Sequence, residues 1–365
     1  MLGLHAAWRL GSQFLCSSVS KRGLLQQAQR LEAGSRGGCL ATFHGSISTS
    51  STCQKLPIVF HHAYSAPKLP DGHRFPMGVF QRIRDILIEE GVIQPSQVHR
   101  PGALPNREQL LMVHEASYVD AFCRNALSDA EIKRIGFGEM CLQPVLVERT
   151  LAEIAGTLLT AKLALQQGLA CNTAGGTHHA FPNFGSGFCI LNDLAVTSRV
   201  LLQQGVVSKI LIVDLDVHQG DGTAVCLQDM PEAFTLSMHG ATNFPARKQN
   251  SDLDVPLPDG MEDAEYLRTL GKVLPDVLAS VKPDLVLYDA GVDPHKNDAL
   301  GRLSLSSEGL FRRDMQVTDT CLAAGVPVAG VVGGGYSPDL NEVAQRHCLL
   351  HRAATEAWSD HRLGS

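Results

Sequence analysis

The sequence lacks several features that mark common protein classes. Its ten cysteines include no Cys-x-x-Cys pair in 365 residues, which argues against a disulfide framework and favours reduced thiols in a core. No apolar run approaches the ~18 residues that a membrane-spanning helix needs, so we expect no membrane insertion. Aromatic residues make up only 5%, whereas glycine and aliphatic residues are abundant, a balance typical of α/β enzymes.

Clustered positive charge is also missing from the main body of the chain. The formal net charge is −6, and no stripe of lysine and arginine follows the first 55 residues. This argues against direct binding to a nucleic-acid backbone. The body is more acidic than the whole chain, so we expect it to tolerate or attract cationic substrates.

The first 55 residues have a different composition. Basic residues and serine-rich stretches such as "GSISTSSTC" stand there against a single acid, Glu32. This composition is typical of an organelle transit peptide, and "LHAAWRLGSQFL" can form a short amphipathic helix. We therefore expect import into an organelle, with the mitochondrion favoured over the chloroplast. The alternative is a disordered tail without an address, which would leave the protein in the nucleus or cytoplasm.

Strand-like and helix-like segments alternate from residue 56 onward. This alternation predicts right-handed crossovers and one mostly parallel β-sheet with helices on both faces, an α/β fold. No internal repeat or Pro-rich linker interrupts it, so we predict one catalytic domain, 56–358, and a short tail, 359–365. The predicted strands are 56–60, 169–176, 209–216, 233–238, 283–291 and 326–335, and the main predicted helices are 78–91, 144–168, 191–204, 263–281, 306–324 and 339–357.

Polar side chains cluster where four of the predicted strands end, after residues 176, 213, 288 and 332. In open parallel sheets the functional pocket lies beyond the carboxyl ends of the strands. Four separate strand ends that carry polar groups therefore predict one shared site at this edge of the sheet.

The segment "DLDVHQGDG" suggests a metal site. Asp214, Asp216 and His218 are spaced two apart, so they would face one pocket if the extended conformation persists. Asp293, in "GVDPH", follows another buried strand. Asp216, His218 and Asp293 would leave coordination positions open, as catalytic zinc requires. The alternative is a capped turn with internally bonded acids, while Gln219 at the sixth loop position excludes an EF-hand.

Two adjacent histidines, His178 and His179, follow the strand at 169–176. A lone histidine usually belongs to a core, but two beside a metal suggest general acid–base chemistry. Asp214 and Asp221 are natural carboxylate partners that would orient the two rings. Tyr336, in "GGGY", would project a hydroxyl at the same rim; packing over a loop is the alternative.

Together these motifs resemble a known family. "GGTHHA", "GFCILND", "DLDVHQGDGT", "GVD" and "GGGY" occur in this order in zinc-dependent histone deacetylases of the arginase-deacetylase fold, which the chain resembles over roughly 57–357. "LPDGHRFPM" and "DPHKNDALGRLSLS" are most similar to the class IV branch and its bacterial relatives. The resemblance implies hydrolysis of the acetyl-lysine amide in a histone or another protein. It also implies one zinc ion per subunit on Asp216, His218 and Asp293.

The resemblance further implies a role for each catalytic residue. His179 would be the general base that takes a proton from the attacking water and returns it to the leaving amine, backed by Asp221. His178 would be the partner histidine, held by Asp214. Tyr336 would donate a hydrogen bond to the developing oxyanion.

Two further sets of residues are implied by the same resemblance. Gly187, Phe188 and Phe244 would line a narrow apolar channel for the acyl-lysine stem. The family often holds a potassium ion near the zinc strand. The residues that match this potassium site are Asp214, Asp216, His218, Ser237 and the main chain at Leu215 and Met238.

One position departs from the family pattern. Asp289 stands four residues before Asp293, where class IV relatives can carry an amide. An extra acid there would either raise the local negative charge and favour cationic substrates, or bond a neighbouring loop, which we favour.

Other functions remain open from the sequence. One is the deacetylation of acetylpolyamines or another small amide, and another is a non-catalytic module that binds acyl-lysine. A manganese ureohydrolase is disfavoured because the His178/His179 pair replaces half of the aspartate cluster that it needs.

Overall fold

The protein is described by a computed structural model that covers residues 54–364. Within these residues eight strands form one sheet in which every pairing is parallel, so the predicted α/β architecture is confirmed. The strands are β1 (Ile58–Val59), β2 (Val98–His99), β3 (Leu169–Asn172), β4 (Ile210–Asp214), β5 (Ala233–Gly240), β6 (Leu253–Leu257), β7 (Leu285–Asp289) and β8 (Val328–Val331).

Helices cover both faces of the sheet. Helix α9 packs against both α8 and α10, α1 packs against α10 from the other end of the chain, and α5 packs along β3 and β8. The helices are α1 (Val79–Glu89), α2 (Arg107–Leu110), α3 (Ala116–Cys123), α4 (Asp129–Ile135), α5 (Pro144–Gln167), α6 (Asp193–Gln203), α7 (Asp221–Leu227), α8 (Asp263–Val281), α9 (Ser307–Ala323) and α10 (Leu340–Asp360).

The central strands are buried on both faces, which explains their continuous apolar runs. In β4, Leu211 and Val213 belong to one hydrophobic core, whereas Ile210 and Ile212 belong to the core on the opposite face. All five residues of β4 are buried, including Asp214 at its carboxyl end. An acid at this position can be explained only by what it contacts beyond the strand.

The strand order places the four polar strand ends side by side. Across the sheet the order is β2-β1-β3-β8-β7-β4-β5-β6, so β3, β8, β7 and β4 are contiguous. Since all strands are parallel, their carboxyl ends open on one edge, as the sequence predicted. The site is therefore assembled at the centre of the sheet.

The strands at the two edges of the sheet, β2 and β6, were not predicted from the sequence. Strand β2 has only two residues, and β6 contains Pro256. Proline removes a ladder donor and is tolerated at an edge, so it hides such a strand from pattern analysis. The predicted strands that lead to the site also ran too long at their carboxyl ends, because the apolar pattern continues into the buried loops, whereas the strand predicted at 233–238 ended two residues before β5 does.

Two predictions concern the chain termini. The predicted transit peptide, 1–55, lies outside the described residues except for its last two positions. The bounds 56–358 and 359–365 stay predictions, and helix α10 continues to Asp360. Within residues 54–364 no helix combines the length and the hydropathy needed to cross a membrane.

Candidate metal centre and active site

Asp216, His218 and Asp293 converge on one buried point. Their candidate ligand atoms all lie within 4.8 Å of one another. His218 Nδ1 lies 2.9 Å from Asp216 Oδ1 and 3.1 Å from Asp293 Oδ2. Tetrahedral zinc with bonds of ~2.0–2.2 Å separates its ligands by about 3.3 Å. The three side chains therefore fit one divalent metal ion of this size.

The conformation between Asp214 and His218 differs from the predicted one. Asp214 Oδ1 accepts a hydrogen bond from Asp216 N at 3.1 Å, and Asp216 Oδ1 accepts one from His218 N at 2.8 Å. These aspartate turns end the extended strand at Asp214. The expectation that an extended chain directs all three side chains to one side is wrong: Asp214 contacts His178, whereas Asp216 and His218 face Asp293.

Backbone groups hold the two carboxylates in place. Gly334 N donates to Asp216 Oδ2 at 2.8 Å, and Val217 N donates to Asp293 Oδ1 at 2.8 Å. A Cβ at Gly334 would lie 2.5 Å from Asp293 Oδ2 and 2.6 Å from Asp216 Oδ2, so only glycine permits this approach. Gly334, just after β8, thus orients the two carboxylates that are candidate ligands.

The charge balance of the cluster also favours a cation. Asp293 is fully buried, and its Oδ2 accepts no hydrogen bond from the described residues. Burial and the adjacent Asp216 carboxylate raise the pKa of Asp293. Two buried carboxylates this close resist simultaneous ionisation unless a positive charge lies between them. A divalent ion held by the three side chains would supply that charge.

The two adjacent histidines each have a carboxylate of their own. His178 Nδ1 lies 2.8 Å from Asp214 Oδ2, and His179 Nδ1 lies 2.6 Å from Asp221 Oδ1. Because an ionised carboxylate can only accept, each Nδ1 is inferred to carry the proton. The ring centroids lie 4.1 Å apart. Nε2 of His179 is thereby left as an acceptor.

The surroundings of the two rings favour a neutral His179 and a protonated His178. Burial and the charge of His178 lower the pKa of His179 to about 4, so this ring is neutral near pH 7. Burial opposes charge on His178 too, but the Asp214 and Asp216 carboxylates outweigh it and raise its pKa. Such divergent neighbours mark acid–base sites.

Asp289 does not bond a neighbouring loop, so that expectation is wrong. The residue is fully buried, and neither carboxyl oxygen accepts a hydrogen bond within residues 54–364. It lies 3.8 Å from His178 Nδ1 and packs against Gly176 and Gly333. Burial and the Asp214 carboxylate raise its pKa well above the usual value. Its surroundings therefore disfavour the charged form of Asp289.

An aromatic-walled cavity of about 520 Å³ leads to the cluster from outside. Its lining includes Gly187, Phe188 and Phe244, as well as His179, His218 and Tyr336. The Phe244 ring lies 4.9 Å from His179, and the Phe188 ring 5.9 Å from Tyr336, between centroids. A Cβ at Gly187 would lie 2.8 Å from His179 Cδ2. The three predicted channel residues are thus brought together above the histidines.

Asp298 is a positioning residue that sequence reasoning missed. Its Oδ2 accepts from Tyr336 N at 2.7 Å, and its Oδ1 accepts from Leu300 N and Gly301 N at 2.8 and 2.9 Å. It therefore ties the loop after β7 to the loop that carries Tyr336. The only sequence feature that could have indicated this role is the position of the acid, five residues after Asp293 in a loop that contains glycine.

Arg313 was also missed. This fully buried side chain on α9 donates to the carbonyls of Leu215, Ala290 and Gly291 at 3.3, 3.2 and 2.6 Å, and pairs with Asp314 at 2.8 Å. It thereby joins the ends of β4 and β7, which are followed by the candidate metal ligands. A single arginine in a helix carries no sequence signal of this role.

The residues predicted to hold potassium lie at the end of β4, in the turn after it and on β5. Asp214 and Ser237 are register neighbours on β4 and β5, while Ser237 Oγ lies 3.0 Å from His239 Nδ1. The Leu215 carbonyl is used by Arg313. The potassium site stays a prediction.

The chain is similar in sequence and in fold to known proteins. The family model described as the histone deacetylase domain matches residues 73–351. An uncharacterized protein of Picosynechococcus is 54% identical over 303 residues, covering 83% of this chain and 99% of that protein. Acetoin utilization protein AcuC of Staphylococcus aureus is 30% identical over 311 residues, which cover 79% of this chain and 76% of that protein. The crystal structure of an HDAC homologue from Aquifex aeolicus shares the fold, with a TM-score of 0.69 and 23% identity over 83% and 84% of the two chains.

Proposed function

Because the chain belongs to the histone deacetylase family, we propose that it hydrolyses the amide of N6-acetyl-lysine in a protein substrate and releases acetate. One observation carries the proposal. A three-ligand cluster, a neutral histidine with its own carboxylate and a tyrosine hydroxyl border one apolar-walled cavity. These are the groups that amide hydrolysis needs, since an amide is a poor electrophile and its amine a poor leaving group.

Zinc is the metal that this donor set suits. Asp216, His218 and Asp293 would hold it, because carboxylate oxygen and imidazole nitrogen are both zinc ligands and three of them leave a position open. A bound zinc ion would polarise the substrate carbonyl and acidify water. Two anionic ligands weaken that acidification, so the chain still needs a base of its own.

His179 is suited to be that base. It is neutral near pH 7, and its Nε2 lone pair is free because Nδ1 faces Asp221 at 2.6 Å. It takes a proton from the attacking water and returns a proton to the departing lysine amine. Asp221 fixes the ring in the tautomer that this transfer needs.

His178 and Tyr336 complete the polar set. His178, held by Asp214 at 2.8 Å, carries positive charge beside His179 and lowers its basicity. Tyr336 lies on the cavity wall with only 8% of its surface exposed. Its hydroxyl donates to the oxygen that gains negative charge as water attacks the carbonyl.

The shape of the cavity favours a long aliphatic stem. Phe188 and Phe244 stand at its sides, above the histidines. Lys248 Nζ donates to the carbonyls of Asn243 and Pro245 at 2.5 and 2.7 Å and thereby holds the loop of Phe244. Apolar walls bind the four methylenes of acetyl-lysine and leave the charged head of an unmodified lysine poorly solvated.

Replacing Tyr336 with phenylalanine is expected to lower kcat at least about a hundredfold, the usual loss for one oxyanion donor. The substitution removes one oxygen atom and no metal ligand, so folding and zinc content should be unchanged. The measurement is turnover of a fluorogenic acetyl-lysine peptide by zinc-loaded protein, with a hydroxamate to verify that the signal depends on the metal. Tyr64→Phe, a buried tyrosine before α1 that is absent from the cavity lining, is the matched control.

The same assay separates catalysis from mere recognition. A Tyr336→Phe protein with near-normal turnover would contradict the oxyanion role. A wild-type protein that binds the peptide but never releases acetate would favour a non-catalytic acyl-lysine module instead.

A further inference from the structure

The mouth of the cavity is lined by three arginines, Arg74, Arg134 and Arg302, here called the arginine rim. All three are exposed. They come from distant parts of the chain: the loop before α1, helix α4 and the loop after β7. The net charge of the body predicted attraction of cations, but the charge at the entrance has the opposite sign.

Two members of the rim have no carboxylate partner. Within residues 54–364, no aspartate or glutamate oxygen lies within 4.0 Å of Arg74 or Arg134. Arg302 has one weak carboxylate partner, since its Nη1 lies 3.9 Å from Asp259 Oδ2. The cavity lining itself includes no acidic residue among those described. The rim therefore keeps uncompensated positive charge.

The Arg134 guanidinium and the loop that carries Arg74 are also held in place. The Arg134 guanidinium lies 4.3 Å from the centroid of the Phe184 ring. Beside Arg74, the His73 ring accepts from Phe75 N at 3.0 Å and contacts the Gly136 carbonyl at 2.9 Å. This contact joins the loop of Arg74 to the end of the helix that carries Arg134. Pre-positioned arginines bind carboxylates with a smaller loss of side-chain freedom.

The surface around the mouth is larger than a lysine stem requires. A second cleft of about 460 Å³ shares Arg74, Leu300 and Tyr336 with the first cavity. The residues that line it include no acid among those described. Residues that flank an acyl-lysine can lie in this cleft, which favours a peptide over a small free amide.

The position of the arginine rim above the buried site indicates which part of a substrate contacts it. The arginines are exposed at the entrance, whereas His179 and His218 are buried below it. An acyl group that reaches the metal cluster has passed the rim. Negative charge on neighbouring residues of the substrate remains at the level of the arginines.

We propose that the arginine rim selects acetyl-lysines that are flanked by aspartate or glutamate, so that the substrate is an acidic protein segment. This inference rests on the proposed deacetylase function. Exposed ion pairs are individually weak, roughly 1.5- to 5-fold each, so two or three together give about a tenfold preference. Polycations such as acetylpolyamines are repelled by the same rim.

Three acetyl-lysine peptides, identical except for glutamate, glutamine or lysine on both sides of the modified residue, test the proposal. We expect kcat/KM of the zinc-loaded full chain to decrease in that order, with about tenfold between the first and the last at low salt. The difference should appear mainly in KM, because the flanking charge binds substrate and transition state alike. It should shrink at 0.5 M salt through screening. Acetylputrescine, a small cationic amide, should rank with or below the lysine peptide.

A charge-matched pair of variants assigns the effect to the rim. In Arg74→Gln/Arg134→Gln the ratio of kcat/KM between the glutamate and lysine peptides should fall to about two or less. Arg268→Gln/Arg312→Gln removes the same charge from exposed positions on α8 and α9 and should keep the wild-type ratio.

Each outcome decides a separate question. Equal kcat/KM for the three peptides, a preference for the lysine peptide, or an unchanged ratio in the rim variant would overturn the inference alone. Absence of turnover for every peptide, or turnover of acetylputrescine alone, would contradict the proposed function and the inference with it.

Discussion

Asp293→Asn is expected to lower kcat/KM by at least about a thousandfold, more than the 10- to 100-fold typical of residues that only orient a ligand. An amide keeps the size of the side chain but loses its charge, and Asp293 Oδ2 lies 3.1 Å from His218 Nδ1 in the cluster. Without this carboxylate, one anion and one imidazole remain, too few to retain zinc in a catalytic site. The measurement is deacetylation of the peptide in the presence of added zinc.

A second readout does not depend on activity. Metal that binds only the folded protein stabilises it, by about 2.7 kcal/mol at a hundredfold excess over Kd. Zinc should therefore raise the Tm of the wild type but not that of Asp293→Asn. Asp276→Asn, an exposed acid on α8, is the control, and full activity in Asp293→Asn would exclude Asp293 as a ligand.

His179→Gln is expected to lower kcat by about 10²- to 10⁴-fold, the range of general acid–base catalysis. Zinc should still raise the Tm of this variant, since His179 is not among the three ligands. That combination separates a missing base from a missing metal. His62→Gln, an exposed histidine far along the chain from the site, is the control. A kcat within tenfold of the wild type would assign the proton transfer to another group.

The pH dependence of kcat/KM, which reports the pKa values of the free enzyme, gives a second test of this assignment. A pKa lowered to about 4 means that His179 is mostly protonated only below that pH. The base is therefore available throughout the neutral range, and kcat/KM should stay level from pH 8 to pH 5 and fall as pH approaches 4. A loss of kcat/KM centred near pH 6.5 would indicate an unperturbed histidine. Circular dichroism at each pH verifies that the protein remains folded.

The parts of the site that the sequence revealed share a physical cause. Acids and histidines directly after buried strands are costly unless they contact one another or an ion. Because β3, β8, β7 and β4 are adjacent and parallel, the residues after them meet at one edge. Pairing of His178 with Asp214 and of His179 with Asp221 follows from these positions.

Other features depend on three-dimensional contacts that no local pattern encodes. The turn after Asp214 is set by side-chain-to-backbone bonds, which periodicity does not detect. Burial beside Asp214 raises the pKa of Asp289, whereas a sequence shows only an acid. The arginine rim joins three distant segments around one opening. The negative net charge of the body therefore predicted the wrong sign for the charge at the entrance of the cavity.

The most direct test is a titration of metal-free protein with zinc, with deacetylation of an acetyl-lysine peptide as the readout. Three ligands within 4.8 Å form one centre, so activity should rise linearly from zero and stop at one zinc ion per chain. Full activity in the chelated protein, or a break at two ions per chain, would contradict a single catalytic centre on Asp216, His218 and Asp293.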